Sequence, residues 1–166
     1  MSKIRGFEVI SLEQCEKDFV GIQDKMYEQI LITPPKRGTA KSAGYDIFST
    51  FDFILKPNEE IKIPTGIKAY MMNDEVLKIY PRSSLGFKYH MTIANTVGII
   101  DADYYNNYDN EGHIFIKIHN MGHKNLEIKQ GVAFCQAIFE KYLLADGDNF
   151  EGKERVGGIG STTEKS

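Results

Sequence analysis

The sequence predicts an all-β sandwich or barrel. Three observations carry that expectation. Short runs rich in β-branched and aromatic residues recur along most of the chain, separated by turn signals at Pro34-Pro35, Lys56-Pro57-Asn58, Pro64-Thr65, Asn73-Asp74 and Asn120-Met121-Gly122. The segment His113-Ile114-Phe115-Ile116-Lys117-Ile118-His119 alternates with the period of two expected of a half-buried strand. No alternation of strand and helix runs through the chain, which argues against a doubly wound nucleotide-binding sheet. Many short strands with frequent turns suit two packed antiparallel layers or a closed barrel.

Taken in order, residues 4–10 read as a strand. A helix follows, because Ser11 can cap it and Gln14 stands three residues on, as in a capping box. Leu12, Cys15, Phe19, Ile22 and Met26 fall on one helical face, read as a packing face or as a surface for a partner. Gly21 weakens the far end of that helix. Strands are then expected at residues 31–32, 51–55, 61–63, 67–72, 76–80, 113–119 and 132–142. Residues 146–166 hold five glycines and few large apolar side chains, too little to offset the entropy of ordering them. That end is either a frayed tail or a lid that orders over a ligand. The organisation expected is an N-terminal strand and helix at 1–28, a β core at 29–144 and a flexible C-terminal segment at 145–166.

A chain of 166 residues can bury a core without disulfides or metals. The net charge of −3 gives no basic field for a long nucleic acid, so a phosphate ligand would need local cations. Cys15 and Cys135 suggest no disulfide framework; two buried thiols in a reducing cytoplasm, or a single bridge, are both open. No run of about 18 apolar residues predicts a membrane span, and the N-terminus lacks the apolar stretch of a signal peptide.

Three segments have chemical potential. In Pro81-Arg82-Ser83-Ser84-Leu85-Gly86, an arginine fork and two hydroxyls suit phosphate oxygens, although a serine pair before a helix can equally be a cap. In Gly157-Gly158-Ile159-Gly160-Ser161-Thr162, glycines would let backbone approach a phosphate. No lysine follows in the Walker position, and a plain linker fits as well. In Gly98-Ile99-Ile100-Asp101-Ala102-Asp103-Tyr104, an apolar run leads into a carboxylate at the rim of the core, where it could deprotonate a water. A solvated polar turn and a two-carboxylate metal site are the alternatives there. The histidines lack the spacing of metal ligands or of a Ser-His-Asp arrangement.

Weak singly, these segments form a pattern together. The chain resembles the trimeric dUTPase family in five motifs that occur in order. They are Ala43-Gly44-Tyr45-Asp46, then Pro81 through Gly86, then Asn95-Thr96-Val97-Gly98 continuing to Tyr104, then Gly131 to Gln136 and Ala137, and finally Arg155 with the glycine-rich run ending at Thr162. The resemblance implies a jelly-roll-like β-barrel and hydrolysis of dUTP to dUMP and pyrophosphate. It implies that Asp101 is the base for the attacking water and that Tyr104 packs on the deoxyribose. Asn95, Gly98, Ile99 and Ile100 would read the uracil edge, with Phe115 on the other side of that hairpin. Arg82, Ser83, Ser84 and Gln136 match the phosphate-binding residues, and Asp46 the carboxylate that supports the triphosphate and its metal waters. Arg155, Ile159, Gly160, Ser161 and Thr162 would close over the substrate from a neighbouring subunit of a homotrimer. Mg²⁺ would be held by the triphosphate and waters rather than by protein ligands.

The chain departs from the family pattern in places. Ile159 stands where an aromatic usually stacks on the base, and only Val156 separates Arg155 from the glycines. Residues 105–111 intervene before Gly112, implying a longer hairpin loop, and Val132-Ala133 replaces a common Asp-Arg pair. The N-terminal strand and helix fall outside the shared core. A dCTP deaminase on the same fold and a regulatory protein using the scaffold are the competing readings.

Overall fold

The computed structural model describes residues 3–22, 30–150, 152 and 157. Its strands are β1 Gly6–Val9, β2 Lys36–Arg37, β3 Tyr45–Phe48, β4 Phe53–Leu55, β5 Glu60–Pro64, β6 Ile67–Tyr70, β7 Glu75–Pro81, β8 Met91–Ile93, β9 Gly98–Asp101, β10 Phe115–Asn120, β11 Leu126–Ile128 and β12 Ala133–Lys141. Two helices, α1 Leu12–Asp18 and α2 Ser83–Tyr89, and a 3₁₀ turn at Ala102–Tyr104 complete the described elements. The largest sheet has the order β2-β3-β12-β7-β9; β5-β10-β8, β11-β4 and β1-β6 form smaller sheets. Every pairing is antiparallel. The architecture is the all-β jelly roll expected.

Burial explains why these strands form. Along β10, Ile116, Ile118 and Asn120 are buried while Lys117 is exposed. The inward set meets Ile63 of β5, Ile93 and Met91 of β8, and Leu77, Ile79, Phe134 and Ala137 from the large sheet. A single-residue slip of β10 would turn that apolar row to solvent, so the pattern fixes its register. Asn120 is buried without cost because its amide donates to the carbonyls of Leu55 and Lys124, both at 2.8 Å. Both cysteines are buried free thiols.

At seven residues, α1 is too short to be stable alone. Ser11 caps it by accepting from Gln14 N at 3.1 Å. The helix buries Gln14 and Cys15, and Cys15 packs with Ile10, Ile22, Ile30, Ile32 and Phe19, the residue that caps the helix's end instead of continuing the expected face. The N-terminal segment is also tied to β7, where the carboxylate of the buried Glu75 accepts from Arg5 Nε at 3.0 Å and from Met72 N at 3.1 Å.

Several sequence expectations shift. Leu12 is 73% exposed, because α1 begins there and turns its first residue outward; Met26 lies outside the described residues. Residues 31–32 form no strand. Ile32 instead packs over Gly66, whose positive φ and missing Cβ admit it, and Pro34-Pro35 delays the ladder until β2. Strands β2, β3, β8 and β11 lie outside the expected runs, because two to four residues give too few alternations to register as a period. Among the described residues no helix is long and apolar enough to cross a membrane.

Candidate active site

Three neighbouring strands of the large sheet build a phosphate-sized cradle. The register sets Gln136 of β12 opposite Asp46 of β3 on one side and opposite Tyr80 of β7 on the other. Arg82 follows β7 directly. Its Nε lies 3.3 Å from Asp46 Oδ1, and its Nη1 donates to the Ala133 carbonyl at 3.4 Å. These contacts hold a half-buried guanidinium in one orientation, leaving the rest of its donor fork available. Gln136 Nε2 donates to the Pro81 carbonyl at 3.3 Å.

The loop before β3 supplies the other wall. Thr39 N donates to Ser42 Oγ at 3.1 Å, and their hydroxyls lie 2.7 Å apart. Arg37 Nη1 donates to the Ala40 carbonyl at 2.9 Å. The resulting cavity, about 400 Å³, is lined by Gly38, Thr39, Ser42, Gly44, Asp46, Arg82, Ser83 and Gln136. Gly44 is required by close approach: a Cβ there would fall 2.5 Å from Gln136 Oε1. Of the lining residues, Arg82 and Asp46 carry charge, and Lys36 stands opposite Asp46 on β2 with its ammonium over the Phe48 ring. Charged donors and hydroxyls arranged this way suit a polyphosphate. Ser84 lies on α2, exposed and outside the lining. Arg82 and Ser83 also wall a more apolar hollow of about 370 Å³ with Phe87 and His90.

The predicted base lies elsewhere. Asn95 is exposed in the turn before β9, where its carbonyl accepts from Val97 N at 2.7 Å and Thr96 takes a left-handed φ of 69°. Strand β9 pairs with β7, with Gly98 opposite Ile79 and Asp101 opposite Val76. Gly98 allows this close pairing, because a Cβ would sit 3.0 Å from Ile79 Cβ. Ile99 is 52% exposed, Ile100 packs against the core, and Asp101 ends the strand in an exposed position.

Tyr104 is buried, with its hydroxyl donating to the His113 carbonyl at 2.8 Å and accepting from Asn110 Nδ2 at 2.9 Å. Phe115 begins β10 opposite Pro64 of β5, with Lys62 Nζ 4.2 Å from its ring centroid. The expected hairpin is therefore corrected: β9 belongs to the large sheet and β10 to the three-stranded one, so residues 102–114 cross between layers instead of joining paired strands.

Sequence reading missed the Thr39–Ser42 wall, whose only signal was a run of mostly small residues from Gly38 to Gly44 after two basic ones. Spacing gives His113 no role beyond its place in the strand alternation, yet it is fully buried with Nδ1 2.6 Å from Asp18 Oδ2; a pair 95 residues apart leaves no local signature. Arg155, Ile159, Gly160, Ser161 and Thr162 lie outside the described residues.

Comparison with known proteins shows the family. The dUTPase family profile matches residues 31–163. The deoxyuridine 5'-triphosphate nucleotidohydrolase of Lactococcus lactis subsp. lactis (strain IL1403) is 45% identical over 161 residues, covering 96% of this chain and 98% of that protein. The crystal structure of dUTPase from Streptococcus mutans superposes with a TM-score of 0.66 at 37% identity, covering 86% of this chain and 99% of the other. The dUTPase from phage phi11 of S. aureus, at 20% identity and a TM-score of 0.64 over 92% of this chain and 99% of that one, shares the fold. The chain belongs to the dUTPase family.

Proposed function

We propose that the protein hydrolyses dUTP to dUMP and pyrophosphate, which limits uracil in DNA and supplies dUMP. The observation that carries the reading is the cradle of Arg82, Asp46, Ser83 and Gln136 on a chain of this family. Water attacks the α-phosphorus, forming one P–O bond as the bond to the β-phosphate oxygen breaks. Asp101 takes the proton of that water, and pyrophosphate leaves. Arg82, Ser83, Ser84 and Gln136 bind phosphate oxygens, with Asp46 orienting the guanidinium.

Asn95 and the backbone of Gly98, Ile99 and Ile100 read the uracil edge; cytosine presents the reversed donor pattern and is rejected. Phe115 borders the base. Tyr104, pinned at its hydroxyl, is a rigid wall against the sugar that leaves no room for a 2′-hydroxyl. Arg155, Ile159, Gly160, Ser161 and Thr162 close over the phosphates. With Ile159 in place of an aromatic, base stacking is weaker by about 1–3 kcal/mol.

The assembly is a homotrimer with sites shared between subunits. The register supports sharing, because Asp101 and Arg82 of one chain are set at opposite ends of β7. The oxygen donors around the cradle, one carboxylate with hydroxyls and an amide, fit Mg²⁺ through its waters and the triphosphate. Mg²⁺, when bound, neutralises charge that develops on the phosphates. Two free buried thiols support a reducing, cytoplasmic setting.

The test is pyrophosphate release from dUTP, dTTP, dCTP and UTP with Mg²⁺. Release from dUTP well above the other three is expected. Ammonia from dCTP with no pyrophosphate from dUTP would overturn the reading.

A further inference from the structure

Helix α1 and the 105–111 segment meet each other. Ser11 N donates to Glu111 Oε2 at 3.1 Å, and the Ser11 hydroxyl donates to the same carboxylate. Lys17 Nζ donates to the Asp109 carbonyl at 3.1 Å. The innermost contact is Asp18 on His113. The backbone N–H of Gly66 donates to His113 Nε2 at 2.8 Å, so that nitrogen carries the lone pair. Nδ1 therefore bears the proton and donates it to Asp18, which fixes tautomer and ring together. The same residue's carbonyl accepts from the Tyr104 hydroxyl, and Asn110, which donates to that hydroxyl, also accepts from Gly112 N at 3.1 Å and from Asn107 Nδ2 at 2.8 Å.

From this geometry we infer that Asp18, on the N-terminal helix, is a positioning residue for Tyr104, acting through the buried His113. The inference rests on the reading that Tyr104 packs on the sugar. A phenol held at its hydroxyl by two partners takes its place from the segment that carries them. That segment is anchored on its far side by α1, at Ser11, Lys17 and Asp18. Loosening Asp18 releases the His113 carbonyl and lets the ring drift from the sugar, so discrimination against a 2′-hydroxyl fails before the chemistry does.

The experiment measures kcat and KM for dUTP and UTP with the full-length trimer, alongside light scattering and melting. Asp18→Ala should lower the dUTP-to-UTP ratio of kcat/KM about tenfold, through KM more than kcat. Asp18→Asn, which keeps an acceptor for Nδ1–H, should recover most of the ratio, which loss of stability alone would not produce. A folded, trimeric Asp18→Ala protein with an unchanged ratio overturns the inference. If Asp18→Ala does not fold, Asp18→Ser, whose shorter side chain cannot span the distance to Nδ1, reads the same ratio: a fall supports the inference and no change overturns it. Tyr104→Ala separates the two readings. If it shifts the ratio and Asp18→Ala does not, only the role of Asp18 fails; if neither does, the role of Tyr104 fails first.

Discussion

Asp101 and Arg82 stand at opposite ends of β7. Asp101 pairs with Val76 near the start of the strand, and Arg82 follows Pro81 at its end. Six residues at about 3.3 Å each place them roughly 20 Å apart along the strand. A water activated by Asp101 and phosphates gripped by Arg82 of the same chain cannot meet at one phosphorus. Mixed assemblies of the proposed homotrimer test this. Asp101→Asn and Arg82→Ala chains, each nearly inactive alone, should regain about a quarter of wild-type activity when co-refolded one to one, because each residue is drawn independently from a neighbouring chain. A mixture no more active than its parents would place both residues in one chain's site.

Asp101→Asn should separate binding from chemistry. The amide preserves shape at the end of β9 but cannot take a proton. A fall in kcat of roughly 10²–10⁴-fold is expected, with dUTP affinity changed little. Single-turnover kinetics and calorimetric titration with a non-hydrolysable analogue check both halves; an unchanged rate removes Asp101 from the role of base.

Gly44→Ala probes the cradle without touching a charged group. The added methyl would sit 2.5 Å from Gln136 Oε1 and 3.3 Å from its Cβ. The clash falls on the end of a flexible side chain, so the amide should swing out of the cavity and the fold should survive. KM for dUTP should rise several-fold, about 1 kcal/mol of lost binding, with the melting temperature nearly constant. A large drop in melting temperature at constant KM would show that Gln136 packs rather than binds.

Local signals made much of this molecule legible. Ser11 and Gln14 announced α1, and the alternation from His113 announced β10, because caps and period-two patterns act within a few residues. Strand β8 has only three residues and takes its strand form from β10, which no window over residues 91–93 contains. Pairing was the harder step. Gly98 to Tyr104 reads like the first arm of a hairpin, yet β9 is claimed by β7 and Phe115 by β5. Contacts such as Asp18 with His113 are set by the whole fold and leave no trace in spacing.

That buried pair also makes stability depend on pH. Burial holds the His113 imidazole below its ordinary value of 6.5, opposed by the Asp18 carboxylate. Lys62 adds to the lowering, and Glu111 opposes it. Well above pH 6.5 neither folded nor unfolded chain protonates this ring, and its full contribution is present. As pH falls below 6.5 the unfolded chain takes up a proton that the folded chain resists, so stability declines until the folded value is passed, by at most about 1.4 kcal/mol per pH unit. The carboxylates of Glu8, Glu75 and Glu111 are held below their ordinary 4.5. Their losses begin only at lower pH, so the window from 6.5 to 5.5 isolates the histidine. Urea melts at fixed protein concentration should show wild-type stability sloping downward there. His113→Asn, less stable at pH 7.5, should give a nearly flat line over the same interval. Parallel slopes for the two proteins would mean that other groups govern the acid side of the stability profile.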